Sequence, residues 1–182
     1  MLVSKAAHRY AVALLESARE QDSVQETLKD IHFIKDTVEG SNELRLFLKS
    51  PVVKPAEKQK ALSSIFDGKV SKEVSQFLGL VTKKGREDIL DEITKAFVNV
   101  YNEDAGIITV EVKTANPLGA DQIKELTAML EKSTSKTVLL VLVEQEELRG
   151  GISVKIEDTV IDATIKHKLE QLETRFLEAS ME

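Results

Sequence analysis

Three histidines, His8, His32 and His167, are the side chains best suited to proton transfer or metal ligation near neutral pH. Each falls in a segment of helical patterning, and none has a second histidine three or four residues away. A metal site needs several converging ligands, so these read as polar positions on helix faces. Asp158 with Asp162 is the nearest approach to an acid–base pair. Asp162 stands just before the last helical segment, where a carboxylate accepts from free backbone N–H groups, and capping is the reading that follows. Gly150-Gly151 has the composition of an anion-holding nest, but strand patterning follows it rather than a helix start, which makes it a tight turn. Neither G-x-x-x-x-G-K-S/T nor a G-x-G-x-x-G opening a helix after a strand occurs, so nucleotide binding has no support. No catalytic residue, cofactor or metal is expected, and the chain reads as a non-enzyme.

The elements that carry these residues must be built from an aliphatic core. Of 182 residues 42% are hydrophobic but only 4% aromatic, with no tryptophan. Leu, Ile, Val and Ala of this kind suit a helix-rich fold. Acidic residues number 31 against 25 basic, a net charge of −6. That argues against a nucleic-acid binder, which needs concentrated positive charge to displace phosphate counterions. Absence of cysteine excludes disulfides and thiolate sites. Met1 to Tyr10 has no apolar core of signal-peptide length. The longest apolar run, Val138 to Val143, is strand-sized and far short of the ~20 residues that span a bilayer. The expectation is a cytoplasmic protein with no direct membrane insertion, reaching any membrane through a partner.

The first half is patterned at a helical period. Ser4 caps a stripe of Ala7, Tyr10, Ala11, Leu14, Leu15 and Ala18. Asp22 with Gln25 resembles a capping box opening a helix through Val24, Leu28, Ile31, Ile34 and Val38. Ser41 starts a short helix, Pro55 suits a first helical position, and Ser71 starts a fifth helix with Val74, Phe77, Leu78 and Val81. A sixth runs from Arg86 through Leu90, Ile93, Phe97 and Val100. Near Gly106 the period falls to two, with Ile108, Val110 and Val112 alternating with Thr109, Glu111 and Lys113. A helix with Ile123, Leu126 and Leu130 follows, then Val138 to Val143, whose unbroken apolar run predicts a strand buried on both faces. Ile152, Val154 and Ile156 form a further strand, and a last helix carries Ile165, Leu169, Leu172 and Phe176. The class is α+β: a six-helix bundle over 1–104, then a small α+β domain over 105–182 with a short sheet and a C-terminal helix. The charge clusters at Lys54, Lys58 and Lys60, and at Glu144, Glu146 and Glu147, read as exposed faces.

Two helices have more apolar surface than one contact needs. Beside its main stripe the first has Ala6, Tyr10, Ala13 and Ser17, and the fifth has Leu80 and Val81. A helix apolar on two faces buries both, either inside its own bundle or against a partner's amphipathic helix. Pattern alone leaves both open. On the second alternative the partner touches Tyr10, Ala13, Leu14, Phe77 and Val81. The final stripe of Ile165, Leu169, Leu172 and Phe176 poses the same choice, between packing on the sheet and offering a surface to another helix.

Four stretches carry a resemblance. Ala7-His8-Arg9-Tyr10-Ala11-Val12-Ala13-Leu14 resembles the "A-x-x-Y-A-x-A-L" opening of the delta subunits of F-type ATP synthases and the mitochondrial oligomycin-sensitivity-conferring protein. Lys84-Gly85-Arg86 resembles that family's "N-G-R", with Lys for Asn. Val112-Lys113-Thr114-Ala115 with Leu118 resembles "V-x-x-A-x-x-L". The stretch from Gly150 to Thr164 resembles "G-G-I-x-I-x-I-G-D-x-V-I-D-G-S", with Leu169 and Leu172 as the "L-x-x-L" after it. Glu157 and Ala163 stand where the family has Gly, and Thr164 where it has Ser, which bears on turn geometry. Lack of an import leader points to a bacterial member.

The resemblance implies a non-catalytic stator adaptor, peripheral on the cytoplasmic face of the cell membrane. Its helical domain would bind the N-terminal helix of an alpha subunit on the catalytic head, and its second domain the b subunits of the peripheral stalk. Restraining the head lets rotor torque couple proton flow to ATP synthesis. An unrelated helical protein-binding scaffold would explain the helices but leave the Gly150 to Thr164 match to chance.

Overall fold

In the computed structural model, which describes residues 4–156 and 159–171, the chain divides into two compact units, Met1–Asn102 and Glu103–Glu182. The first contains helices α1 (Lys5–Glu20), α2 (Val24–Gly40), α3 (Asn42–Lys49), α4 (Pro55–Phe66) and α5 (Lys72–Lys83). A 3-10 turn, Glu87–Ile89, precedes α6 (Leu90–Asp104), which ends at the boundary. Hydroxyls start three of these helices: Ser4, Ser41 and Ser71 accept from the N–H groups of Ala7, Leu44 and Val74, satisfying donors that lack partners in the first turn. Gly85, at φ 64°, takes the left-handed turn beyond α5. The start of α2 differs from expectation. Asp22 is left-handed, at φ 55°, and Ser23 is the flanking residue. Its hydroxyl donates to Glu73 Oε2 at 2.7 Å, with the Ala18 carbonyl 3.3 Å away, instead of capping, and Gln25 donates to the Tyr101 hydroxyl.

The core of this unit is aliphatic around a few rings. Ala7, Ala11, Leu14 and Leu15 of α1 pack with Ile31, Ile34 and Val38 of α2, Phe66 of α4, Val74 and Val81 of α5, and Ile93 and Phe97 of α6. Each fully buried Leu, Ile, Val or Phe contributes about 1.5–3 kcal/mol relative to exposure. One polar group is buried among them against expectation. Lys58 is not on an exposed face: it is only 4% exposed, and its Nζ donates to the Leu48 carbonyl at 2.6 Å and to Glu87 Oε1 at 2.9 Å. Helical periodicity turns Lys58 inward with Leu62, whereas Lys54 and Lys60 are exposed as read.

The second unit is a four-stranded mixed sheet with strand order β2-β1-β3-β4. Its strands are β1 (Ile107–Thr114), β2 (Thr137–Glu144), β3 (Ile152–Ile156) and β4 (Thr159–Asp162). β1 pairs with β2 in parallel, across helix α7 (Ala120–Thr134), and with β3 antiparallel; β4 pairs antiparallel with β3. Ile108, Val110 and Val112 share one face with Val138 and Val154, and Leu130, Leu126 and Leu118 pack on it. The opposite face of β1 carries Thr109, Glu111 and Lys113.

β2 is the other correction. It is an edge strand, not one buried on both faces, and Leu139, Val141, Leu142 and Val143 are 36–53% exposed. Its run of β-branched and aliphatic residues is what a central parallel strand would show, but neighbours lie on one side only. The Glu131 carboxylate accepts from the Val138 N–H at 3.3 Å, a side-chain substitute for a missing strand partner.

Candidate functional site

α1 and α5 lie side by side and antiparallel. Tyr10 meets Phe77 edge to face, with centroids 6.3 Å apart at 73°. Thirteen residues further along the chain from Tyr10, the Ser23 hydroxyl donates to Glu73 Oε2 at 2.7 Å. Between the helices is a groove of about 580 Å³. Its α1 wall is Ala6, Tyr10, Ala13 and Ser17, and its α5 wall is Gln76, Phe77 and Leu80, with Leu14 in the floor. Small residues at 6, 13 and 17 leave room for a backbone to approach closely, the condition for helix-on-helix packing. Leu80 is 47% exposed at the groove edge, apolar surface without a covering partner among the described residues.

Of the five residues expected at a partner helix, Tyr10, Ala13, Leu14 and Phe77 line this groove and Val81 does not. Val81 is 1% exposed and belongs to the core. The groove also has polar members the sequence did not single out: Arg9, Gln21, Glu73, Gln76 and Arg86. Charged residues are too common on helix faces for pattern to mark these, although the antiparallel pairing of the two helices brings them to one surface.

In the second unit Ile165 and Leu169 begin a helical segment at 165–171 and are 46% and 48% exposed. Leu172 and Phe176 of the expected stripe lie outside the described residues, as do Glu157 and Asp158. Leu169 borders a hollow with Glu146, Glu147, Arg149, Lys166 and Glu170. The turn beneath is tightly specified. Arg149, Gly150 and Gly151 all have positive φ, of 60°, 140° and 79°. The Gly150 carbonyl accepts from the Ile165 N–H at 3.0 Å, and a Cβ on Gly151 would stand 2.5 Å from the Ala163 carbonyl oxygen.

Asp162 is not itself the helix cap. It accepts from the Thr164 N–H at 2.9 Å, and Thr164 Oγ1 accepts from the His167 N–H. The Thr164 hydroxyl, and then its N–H, hold the Asp162 carboxyl below its ordinary pKa. This is turn chemistry rather than catalysis. Among the described residues no three His, Cys, Asp or Glu side chains gather as metal ligands, and no helix is long and apolar enough to cross a membrane.

Comparison with known proteins gives one consistent result. The family described as ATP synthase delta (OSCP) subunit matches residues 6–176. The chain is 37% identical over 170 residues to the ATP synthase subunit delta of Chloroherpeton thalassium, covering 93% of each. It is 37% identical over 179 residues to that of Chlorobium chlorochromatii, covering 98% of this chain and 100% of the relative. For Chlorobaculum tepidum the figure is 39% over 167 residues, 92% of each. The fold matches a chain in the cryo-EM structure of the Toxoplasma gondii mitochondrial ATP synthase hexamer, with TM-score 0.69 at 22% identity, covering 96% of this chain and 98% of that one.

Proposed function

The chain belongs to the ATP synthase delta (OSCP) subunit family, and on that premise we propose that its first unit, acting as a six-helix bundle, seats the N-terminal helix of an alpha subunit between α1 and α5. The second unit holds the b subunits of the peripheral stalk. As a member of this family the chain is a non-catalytic accessory subunit of ATP synthase and serves in its stator. The observation that carries the alpha-subunit assignment is the groove itself, about 580 Å³ between two antiparallel helices, floored by Leu14, walled by Phe77 and left open beside Leu80. An amphipathic helix laid there covers the second apolar face of both helices. For the stalk end, support comes from the exposed Ile165 and Leu169 and from the bare face of β2.

A stator resists torque by holding, so its work is done through binding free energy rather than reaction chemistry. Both grips must persist while the rotor turns; losing either lets the head follow the rotor and wastes ATP. Attachment in this way puts the chain on the cytoplasmic face of a bacterial cell membrane through the assembled complex. Titration of the full chain with a synthetic peptide of the alpha-subunit N-terminus tests the first grip, with saturable one-to-one binding expected. For the second, truncation before Glu173 should reduce retention of the b subunits and leave peptide binding intact. In the assembled enzyme, proton pumping per ATP hydrolysed should then fall. Normal pumping with normal b-subunit retention would remove the end of the chain from the stalk contact.

A further inference from the structure

Given that an alpha-subunit helix docks between α1 and α5, we propose that the groove also fixes its direction: N-terminus over Glu73, C-terminus beside Arg9 and Arg86. Three charged residues line the groove, and they are segregated. Glu73 opens α5 and lies at the Ser17 and Gln21 end of α1, as its bond to Ser23 requires. Arg9 stands near the start of α1, and Arg86 follows the end of α5, so both lie at the opposite end. Arg9 of α1 and Gln21, which follows its last residue, are twelve residues apart, roughly 18 Å along the axis. The groove is therefore anionic at one end and cationic at the other, over about the length of three helical turns.

Glu73 is also incompletely satisfied. Oε2 accepts from Ser23, whereas Oε1 is buried with no hydrogen-bond partner among the described residues. With Oε1 buried, the carboxylate acts on the groove through its charge rather than through a direct hydrogen bond. The first turn of an incoming helix brings free N–H groups and a positive partial charge of about half a unit. At the other end its last carbonyls, with the opposite partial charge, meet the two guanidinium groups. A helix laid the other way would put carbonyl oxygens against Glu73 and N–H groups against the arginines. Beyond the groove lining, Lys5, Lys83 and Lys84 lie at the arginine end and Glu16 and Glu20 at the other; Arg19 and Lys72 run against this trend but do not line the groove. The docked helix then runs parallel to α5 and antiparallel to α1.

The chain has no cysteine, so a single introduced one carries a nitroxide label uniquely. Glu20→Cys and Lys83→Cys place it at exposed positions outside the groove lining, at the anionic and cationic ends respectively. The probe is an isotope-labelled peptide of roughly the first 20 residues of the alpha subunit, long enough to span the groove at 1.5 Å per residue. The Glu20→Cys label should broaden the N-terminal amides of the bound peptide, and the Lys83→Cys label the C-terminal ones. The reverse pattern, or equal broadening at both ends, overturns the direction while leaving the docking intact; absence of saturable binding to the unmodified chain would instead remove the docking itself. Glu73→Gln keeps an acceptor for Ser23 but loses the charge, and should weaken the peptide about two- to fivefold. Arg9→Gln with Arg86→Gln should do the same at the other end. Unchanged affinity in both, with unchanged melting temperatures, would show that the charges do not orient the helix.

Discussion

Single side chains decide how close a partner can come. Ala13 is exposed on α1, in the wall of the groove, so replacing it leaves the core untouched. Ala13→Glu would nevertheless put a carboxylate where a docked helix excludes water. Burying a charge without a partner costs a few kcal/mol, and each 1.4 kcal/mol is tenfold in affinity. The alpha peptide should bind about 10–100-fold more weakly to Ala13→Glu by titration calorimetry, with the circular dichroism spectrum unchanged. Unchanged affinity would place the docking site elsewhere. Gly151 acts differently, through the backbone. At φ 79° and with the Ala163 carbonyl oxygen 2.5 Å from any Cβ, Gly151→Ala strains both the dihedral and the packing. It should destabilise the second unit by about 2–4 kcal/mol in denaturant titrations.

At the scale of elements, the first unit has a buried charged pair among its apolar contacts. Lys58 of α4 joins the end of α3, through the Leu48 carbonyl, to Glu87 in the 3-10 turn before α6. Both partners are almost fully buried, with side-chain exposures of 5% and 6%. Removing one member of such a pair strands the other, at a cost of about 3–5 kcal/mol. Lys58→Ala should lower stability by that amount in urea unfolding, and Lys58→Ala with Glu87→Ala should recover part of it, since no charge is then stranded. The strand β2 is the opposite case, an element whose apolar residues exceed its neighbours. Leu139 and Val141 face away from α7, and on that side β1 offers only Thr109 and Glu111.

For the whole molecule, the contact map divides near Asn102, close to where the hydrophobic period changes from helical to alternating. The core of α1–α6 is made within the first unit, and its salt bridges, such as Lys95 with Glu39 and Asp91, close inside it. A fragment of residues 1–104 should therefore fold alone, show a helical circular dichroism spectrum with a cooperative melt, and bind the alpha peptide within about threefold of the full chain, an amount corresponding to roughly 0.6 kcal/mol. A disordered fragment would show that the helices depend on the second unit. The proposed assignment of one partner to each unit suits a stator, because each grip could then be tuned without disturbing the other.

Sequence by itself determined the succession of the helices and of β1, β2 and β3, because that information is local; the short β4 had no such signal and appears only through its pairing with β3. Hydroxyl caps at Ser4, Ser41 and Ser71, the helical stripe through Ala7 to Ala18, and the alternation of Ile108, Val110 and Val112 all act within a few residues, and all appear as expected. The Gly150-Gly151 turn was equally legible, since φ of 140° and 79° favours glycine. Tertiary structure alone decided what depends on who lies next to whom. An apolar run like Val138 to Val143 is compatible with a central strand or an edge; strand order made it an edge. Lys58 looked like its exposed neighbours until α3 and the Glu87 turn closed over it. Arg9, Glu73 and Arg86 became one surface only through the antiparallel packing of α1 on α5. Side chains far apart in sequence have no local signature of their meeting, because their proximity is a property of the packed helices rather than of either segment.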